Sequence, residues 1–312
     1  MQKVFIDGQE GTTGLQIKQR ILSHGGFTLL EIDEEKRKDT AERARLINES
    51  DITVLCLPDA AASEAVALCT NPDTKIVDAS TAHRTLTGWV YGLPELSHEQ
   101  RSRIITSKRV AVPGCYASGF ISLVAPLVRK LPKLKEFPFS CYGLSGYSGA
   151  GKKAIEKYSD SASNAALSAP RFYALGQEHK HLKEMRLISD IDFAPLFVPT
   201  ICSFYSGMAI AVPIHLEVLN CLPERLVDIY KQHYANSEII RVNELNIGTA
   251  PDNQLSAARL ADKDYMEISV FTNRQRATLV ASYDNLGKGA SGAAMQCINL
   301  MSGFPETHGL RL

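Results

Sequence analysis

Continuous apolar runs alternate with helical patterns over the first third of the chain. Five such runs predict buried strands, at residues 4–6, 27–32, 52–58, 75–80 and 109–113. An Ala-rich segment at residues 60–69 predicts one of the helices between them. Strands that are apolar on both faces and separated by helices are typical of a parallel sheet covered on both sides, so this region is predicted to be an α/β domain.

The first helix is predicted directly after the first strand. Leu15 and Leu22 lie seven residues apart and Ile17 and Ile21 lie four apart, which favours a helix with these side chains on its apolar side. The pair Gly25-Gly26 is a typical helix end.

The pattern changes after residue 115. A helix is predicted at residues 116–129, followed by longer strands at residues 209–218, 266–272 and 276–283. The last two strands are predicted to form an antiparallel pair joined across Asn273-Arg274. A small apolar helix at about residues 290–302 can return to the first domain. We therefore predict a first domain of residues 1–115 plus 290–312, and an α+β domain of residues 116–289 with a largely antiparallel or mixed sheet.

Composition narrows the range of partners. The chain has 312 residues, of which 45% are apolar and 22% charged, and its formal net charge is zero. No broad field is expected to attract nucleic acid or an anionic membrane, and no apolar run reaches membrane-spanning length. The seven cysteines are scattered without a CxxC pair, and the N-terminus enters a strand pattern at once. We expect a cytoplasmic protein with a small-molecule substrate and no structural metal.

A glycine-rich turn follows the first predicted strand. Gly8, Gly11 and Gly14 form a GxxGxxG run between strand and helix, where a dinucleotide-binding turn belongs. Glycines there allow the pyrophosphate to approach the backbone, and the helix amides then bind it. The spacing departs from GxGxxG, so a glycine-rich turn without a ligand is the alternative. The turn makes a Rossmann-type domain the favoured interpretation.

A charged run follows the second predicted strand. An acid at this position, such as Asp33, often binds a ribose hydroxyl of NAD, whereas cations accept the 2′-phosphate of NADP. Cations are also present, at Lys36, Arg37 and Lys38. A solvated surface run is the third interpretation, and the sequence leaves all three open.

Cys115 follows Pro113-Gly114 at a predicted strand-to-helix junction. A thiolate is stabilised at a helix N-terminus by the helix dipole, which suits a nucleophile. The alternative is a buried, inert cysteine, which fits Cys56 and Cys69 better.

Two histidines lie close together at His179 and His181. With Glu184 they could bind zinc, they could serve as acid or base, or they could be an exposed pair without a role. The spacing does not choose among these.

Residues 146–153 nearly match the P-loop pattern, but the final hydroxyl residue is replaced by Lys153. We interpret this segment as an anion-binding loop for a substrate.

Taken together, these residues resemble the shorter subclass of the N-acetyl-γ-glutamyl-phosphate reductases over nearly the whole chain. Seven segments carry the resemblance: residues 8–15 (GQEGTTGL), 56–59 (CLPD), 78–84 (DASTAHR), 91–96 (YGLPEL), 112–116 (VPGCY), 145–152 (SGYSGAGK) and 284–290 (DNLGKGA). The resemblance implies reduction of N-acetyl-L-glutamyl 5-phosphate to the 5-semialdehyde by NADPH, with release of phosphate, in arginine biosynthesis. It also implies a semialdehyde-dehydrogenase-like catalytic domain and a small homo-oligomer, a dimer or tetramer.

The resemblance further implies residue roles. Cys115 would be the nucleophile and His179 the acid/base, with Tyr173 and Glu184 as helpers. The substrate ligands would be Arg84, Lys152 and His181. Within the matched segments the cofactor would be bound by Gly8, Gly11, Thr12, Thr13, Gly14, Leu15, Leu57, Ser80, Gly149, Asn285 and Gly287. The preference for NADP implied by the resemblance agrees with the cations Lys36, Arg37 and Lys38, which are the further predicted cofactor ligands.

Three other functions compete with this one. An aspartate-semialdehyde dehydrogenase would share fold and chemistry. A nucleotide-sensing regulator without catalysis would not need Cys115 and the Tyr173/His179/Glu184 set. A cysteine hydrolase would leave the glycine-rich turn unexplained.

Overall fold

The computed structural model describes residues 1–159, 167–219, 221–246, 254–273 and 275–312. The chain divides into two compact units. The first unit contains Met1–Pro94, His98–Gly114 and Ala290–Leu310, and the second contains Glu95–Ser97, Cys115–Gly289 and Arg311–Leu312.

The first unit alternates strands and helices. Its elements up to residue 111 are β1 (Gln2–Asp7), α1 (Thr12–His24), β2 (Phe27–Leu30), α2 (Thr40–Glu49), β3 (Ile52–Leu55), α3 (Asp59–Leu68), β4 (Lys75–Asp78), β5 (Val90–Tyr91), α4 (His98–Thr106) and β6 (Arg109–Ala111).

The second unit follows, and the chain then returns to the first. The elements of the second unit are α5 (Cys115–Lys130), β7 (Ser140–Gly146), α6 (Lys152–Ser159), β8 (Arg171–Phe172), α7 (Leu182–Ile188), β9 (Leu196–Cys202), β10 (Met208–His215), α8 (Leu216–Leu219), α9 (Pro223–His233), β11 (Ile240–Val242), β12 (Met266–Thr272) and β13 (Arg276–Tyr283). The last helix, α10 (Gly292–Ser302), packs against α1, α4 and β4 of the first unit.

A six-stranded parallel sheet forms the centre of the first unit, in the order β2-β1-β3-β4-β6-β5. Successive side chains of a strand point to opposite faces. Val4 and Ile6 of β1 pack with Ile17 of α1 and with α10, whereas Phe5 packs with Leu46 of α2 on the other face. The predicted α/β domain of the Rossmann type is confirmed.

The strand order places a ligand crevice beside β1. Strand β1 pairs with β2 on one side and with β3 on the other. The direction in which successive strands are added to the sheet therefore reverses at β1. In open α/β sheets, ligands bind at the carboxyl ends of the strands where the order reverses in this way. The turn after β1, at Gly8, lies at that point.

The predicted apolar side of α1 is partly wrong. Ile17 and Ile21 are buried, but Leu15 and Leu22 are 45% and 63% exposed. At 100° per residue, the two leucines share one side of the helix and the two isoleucines share the opposite side. Only the isoleucine side faces the sheet.

A seven-stranded mixed sheet forms the second unit, in the order β11-β12-β13-β10-β7-β9-β8. The pairs β11/β12 and β7/β9 are parallel and the others antiparallel. The mixed sheet and the antiparallel pairing of β12 with β13 are confirmed, although Arg274 lies outside the described residues. The strand predicted at residues 209–218 ends at His215, because residues 216–219 form a helical turn that buries Leu216 and Leu219.

The units differ from the predicted domain boundaries at three short segments. Cys115 begins α5 and belongs to the second unit. Glu95 also belongs there, where its Oε1 accepts a hydrogen bond from the buried Lys288 Nζ at 2.7 Å. Arg311 belongs there because its N–H donates to Asp264 Oδ2 at 2.8 Å. Within the described part of the chain, no helix is both long and apolar enough to cross a membrane.

Candidate active site

The turn between β1 and α1 is built so that only glycine fits at two positions. Gly8 has φ +89°, and a Cβ on it would lie 2.4 Å from the carbonyl oxygen of Cys56, at the end of β3. A Cβ on Gly14 would lie 2.4 Å from the carbonyl oxygen of Gly8. Gly11 donates its N–H to that same oxygen and closes the turn. The turn therefore lies directly against β3, at the crevice that the strand order defines.

Helix α1 starts in this turn. Gly11 is the N-cap of α1 and has no side chain that could accept a hydrogen bond from the first turn. The amides of Thr12, Thr13 and Gly14 therefore point out of the start of the helix. Such amides bind phosphate groups. Leu57 lies beside the turn, since its Cδ2 would be 3.0 Å from a Cβ on Gly8, whereas the Leu15 side chain is exposed. This arrangement fits a bound pyrophosphate.

The charged run after β2 lines an open surface depression of ≈ 610 Å³, formed by Asp33, Glu34, Glu35 and Lys36. Lys36 Nζ lies 3.9 Å from Asp33 Oδ2, and Arg37 Nη1 lies 3.8 Å from Glu34 Oε1. Lys38 is exposed. Acids and cations thus share the position that receives the ribose and its 2′-substituent in Rossmann-type domains.

A buried carboxyl lies directly before the glycine-rich turn, which the sequence did not single out. Asp7 Oδ2 accepts hydrogen bonds from Arg43 Nε and Nη2 at 3.1 and 2.9 Å. Burial raises the pKa of Asp7, and the guanidinium of Arg43 opposes this shift. Arg43 therefore offsets a negative charge that would otherwise disfavour a phosphate nearby.

Ser80 and Arg84 belong to a polar network after β4. Ser80 donates its hydroxyl to Asp78 Oδ2 at 2.7 Å, and His83 Nδ1 lies 2.6 Å from the same oxygen. Arg84 donates from Nε to the Val112 carbonyl at 2.9 Å and from Nη2 to the Ala79 carbonyl at 3.2 Å. Both predicted ligands are buried, and these bonds fix the loop that carries them.

In the second unit, Cys115 is the first residue of α5 and is partly exposed. The helix is buried along residues 116–128, so its dipole acts in a low-dielectric setting that favours an anion at Cys115. By contrast, burial raises the pKa of the Cys56 thiol to about 12. Cys56 therefore has the inert character expected of a core cysteine.

Aromatic rings and histidines gather beside Cys115. The Tyr173 hydroxyl lies 3.4 Å from His179 Nε2, and Tyr116 packs edge-on against the His179 ring at 5.8 Å between centroids. The His181 ring is 4.6 Å from the His179 ring. Burial raises the pKa of Tyr173, and negative charge on Cys115 raises it further. The structure thus brings four of the predicted residues together within this unit.

The hydrogen bonds of His179 define its two ring nitrogens. The main-chain N–H of His181 donates to His179 Nδ1 at 3.1 Å. Because a main-chain N–H can only donate, the neutral imidazole carries its hydrogen on Nε2, on the side of Tyr173. Glu184 is buried in the first turn of α7. Nothing in the spacing of the two histidines could have shown which ring nitrogen of His179 carries the hydrogen.

Asn285 fixes the loop after β7. Its Oδ1 accepts a hydrogen bond from Gly207 N–H and its Nδ2 donates to Ser148 Oγ, both at 2.9 Å. A Cβ on Gly149 would lie 3.1 Å from Asn285 Nδ2, so this glycine lets the loop approach the amide. Lys152, the first residue of α6, is exposed.

Gly287 is buried, and a Cβ on it would lie 2.1 Å from the Lys263 carbonyl oxygen. Its requirement for glycine therefore comes from packing inside the second unit.

Among the described residues, no group of three or more His, Cys, Asp or Glu side chains is arranged to hold a metal ion. His179, His181 and Glu184 therefore do not form a zinc site of the kind considered from the sequence.

Comparison with known families defines the class of protein. Residues 3–104 match the semialdehyde dehydrogenase NAD binding domain, and residues 115–285 match the semialdehyde dehydrogenase dimerisation domain. Solved structures share this fold. Aspartate semialdehyde dehydrogenase II from Vibrio cholerae, complexed with ASA, has a TM-score of 0.73 at 13% identity over 97% of this chain and 98% of its own. Aspartate semialdehyde dehydrogenase with NADP from Candida albicans has a TM-score of 0.64 at 14% identity over 97% and 98%.

Closer relatives are found among the N-acetyl-gamma-glutamyl-phosphate reductases. The protein of that name from Trichormus variabilis is 42% identical over 99% of both chains. N-acetyl-gamma-glutamyl-phosphate reductase 2 from Pseudomonas putida is 40% identical over 98% of both. The chain belongs to the N-acetyl-γ-glutamyl-phosphate reductase family of the semialdehyde dehydrogenases.

Proposed function

We propose that this protein reduces N-acetyl-L-glutamyl 5-phosphate to N-acetyl-L-glutamate 5-semialdehyde with NADPH and releases phosphate. The reaction passes through a thioester on Cys115. The observation that carries the proposal is the position of Cys115, at the first residue of a buried helix whose next residue, Tyr116, packs against the His179 ring at 5.8 Å.

The first step is acyl transfer to sulfur. The Cys115 thiolate attacks the acyl carbon, and the bond to the phosphate oxygen breaks as phosphate takes up a proton from solvent. The dipole of α5 stabilises the thiolate. The main-chain amides at the start of the same helix lie beside Cys115, where they can stabilise the tetrahedral oxyanion.

The second step reduces the thioester. Bound NADPH would supply the hydride for this reduction, and the thioester oxygen would need a proton to become the hydroxyl of a hemithioacetal. His179 donates a proton from Nε2 to the oxygen of this intermediate and recovers it when the C–S bond breaks. Tyr173, whose hydroxyl lies 3.4 Å from Nε2, orients the ring, and Glu184, buried in the first turn of α7, is the second proposed helper.

We assign the cofactor to the first unit. The turn at Gly8, Gly11 and Gly14 and the start of α1 would hold the pyrophosphate. Residues 33–38 would meet the ribose that carries the 2′-phosphate. Lys152 and His181 are the proposed ligands of the substrate's anionic groups. Arg84 is a weaker candidate because its guanidinium already donates to two main-chain carbonyls.

Reduction of NADP⁺ in the reverse direction tests this function. With N-acetylglutamate 5-semialdehyde, we expect continued NADPH formation over many turnovers only when phosphate is present. Aspartate 4-semialdehyde serves as the competing substrate, and faster turnover with it would assign the protein to the other enzyme class. Turnover that does not need phosphate would reject the acyl-phosphate chemistry altogether.

We also propose that the protein is a homo-oligomer, at least a dimer, joined through the second unit. On the face of its sheet opposite α5, the apolar side chains of Tyr142, Leu144 and Leu196 are 49%, 39% and 61% exposed. Leu196→Asp should dissociate the oligomer in light scattering after gel filtration. Leu22→Asp, at a 63% exposed leucine of α1, is the control that should not.

The cysteine usage favours a reducing compartment, so we place the protein in the cytoplasm.

A further inference from the structure

Three buried tyrosines hold helix α5 through its main-chain carbonyls. Tyr234 donates its hydroxyl to the Ser122 carbonyl at 2.8 Å, and Tyr230 donates to the Leu123 carbonyl at 2.6 Å. Pro126 lacks an N–H, so it leaves the Ser122 carbonyl without its usual helical donor, and Tyr234 satisfies that carbonyl instead. These two bonds lie in the middle of the helix, far along it from Cys115.

The third tyrosine acts at the nucleophile itself. Tyr283, the last residue of β13, donates its hydroxyl to the Cys115 carbonyl at 2.6 Å. The same hydroxyl accepts the N–H of Gly119 at 3.1 Å. One phenol oxygen therefore links the Cys115 carbonyl to the Gly119 N–H, the two groups at the ends of the first turn of α5. Within the described part of the chain, the hydroxyls of Tyr230 and Tyr234 donate to a carbonyl but accept no main-chain N–H.

Gly119 makes this bridge possible. A Cβ at position 119 would lie 2.6 Å from the Tyr283 hydroxyl and 2.6 Å from Ile210 Cγ1. Real side chains do not approach so closely, so a larger residue would push the tyrosine away. Glycine inside a helix is destabilising relative to alanine. The chain thus keeps an unfavourable helix residue where the phenol reaches the backbone.

The segment after Tyr283 folds back against Cys115. The Asp284 carboxylate accepts the N–H of Leu286 at 2.7 Å and of Gly287 at 3.3 Å, which tightens the turn. A Cβ on Gly289 would then lie 3.1 Å from Cys115 Cβ. Burial raises the pKa of Tyr283 well above its ordinary value, and negative charge on Cys115 raises it further, so the hydroxyl remains protonated and able to donate.

We propose that Tyr283 is a positioning residue for Cys115, and that its hydroxyl holds the first turn of α5 so that the sulfur stays aligned with the helix amides. This inference rests on the proposed function, in which Cys115 is the nucleophile. Both of these hydrogen bonds of the phenol are to main-chain atoms, so it acts through Cys115. Small displacements of a nucleophile are costly to its reaction rate.

Tyr283→Phe removes the bridging oxygen and keeps the ring. We expect the rate at which iodoacetamide alkylates Cys115 near neutral pH to fall about tenfold. The pH midpoint of that rate should move upward, because the displaced thiolate gains less from the helix amides. Turnover should fall in parallel, whereas the KM for NADP⁺ should not change. The modified peptide is identified by mass spectrometry, since other cysteines are also partly exposed.

Tyr234→Phe is the matched control. It removes a buried hydroxyl bonded to the same helix, so both variants should lose thermal stability to a similar degree. Alkylation of Cys115 in this control should stay within about twofold of the unaltered protein. Equal loss of reactivity in both variants, or none in Tyr283→Phe, would overturn the proposal.

Alkylation does not depend on the natural substrate, which separates this inference from the proposed function. If Tyr283 controls alkylation but N-acetylglutamate 5-semialdehyde is not oxidised, the positioning role stands and the substrate assignment fails. If the semialdehyde is oxidised normally by Tyr283→Phe, the substrate assignment stands and the positioning role fails.

Discussion

Replacing Gly8 by alanine tests how the cofactor turn is held against the sheet. Alanine at φ +89° costs about 1–2 kcal/mol. Its Cβ would also lie 2.4 Å from the Cys56 carbonyl oxygen, about 1 Å inside normal contact. Such overlap typically costs about 1–3 kcal/mol. The free energy of unfolding should therefore fall by about 2–5 kcal/mol.

Gly25→Ala is the control for backbone strain. Gly25 ends the same helix at φ +76°, and a Cβ there would meet no atom within 4 Å. Gly25→Ala should therefore lower the free energy of unfolding by the backbone strain alone, about 1–2 kcal/mol. The difference between the two variants therefore isolates the contact with β3.

Urea titration and NADPH binding measure the two consequences separately. Because the turn must move by about 1 Å to relieve the overlap, Gly8→Ala should raise the Kd for NADPH at least about tenfold, or about 1.4 kcal/mol. Gly25→Ala should leave that Kd unchanged. NADPH affinity that is normal in Gly8→Ala, or equally weakened in Gly25→Ala, would refute the assignment of this turn to the cofactor.

Three further predictions concern the acid/base group, the cofactor preference and pH. His179→Ala should lower turnover by about a hundredfold or more, and His181→Ala by less; the reverse ranking in steady-state assays would move the role to His181. Alanine at all of residues 36–38 should raise the KM for NADPH more than the KM for NADH. Equal changes in the two KM values would show that these cations do not bind the 2′-phosphate. Burial lowers the pKa of His24, so the unfolded chain binds a proton first as the pH falls below 6.5. The free energy of unfolding should then decrease by up to about 1.4 kcal/mol per pH unit, and urea titrations of His24→Gln that keep the full slope would contradict this.

The fold could be predicted from the sequence where all residues of an element share the same environment. Strand β3 is buried at every position, so its continuous apolar run identified it. The two-residue strand β5 could not be found, because such a short edge strand has no periodicity. The end of β10 was missed for a different reason. The alternation of apolar and polar residues continues from Ile214 through Val218, and it therefore did not mark the change to a helical turn.

The site was predictable where local sequence sets the geometry. Pro113-Gly114 before Cys115 indicated a cysteine at a helix start, and α5 does begin there. Tyr283 could not be found in this way, because its partner Cys115 lies 168 residues earlier in the chain. Only the pairing of β13 with β10 and the packing of α5 on both strands bring the two together.

Acylation of Cys115 is the most direct test of the central claim. The protein is mixed with N-acetylglutamate 5-semialdehyde and NADP⁺ in the absence of phosphate. A single burst of NADPH should form, and the peptide containing Cys115 should carry the N-acetylglutamyl group. Added phosphate should then release the acyl group and start turnover.

Cys115→Ser should give no burst while binding NADP⁺ as the unaltered protein does. A seryl hydroxyl ionises far less readily than a thiol, so it cannot replace the thiolate. An acyl group mapped to another cysteine, or a Cys115→Ser variant that keeps most of its phosphate-dependent activity, would contradict the thioester mechanism.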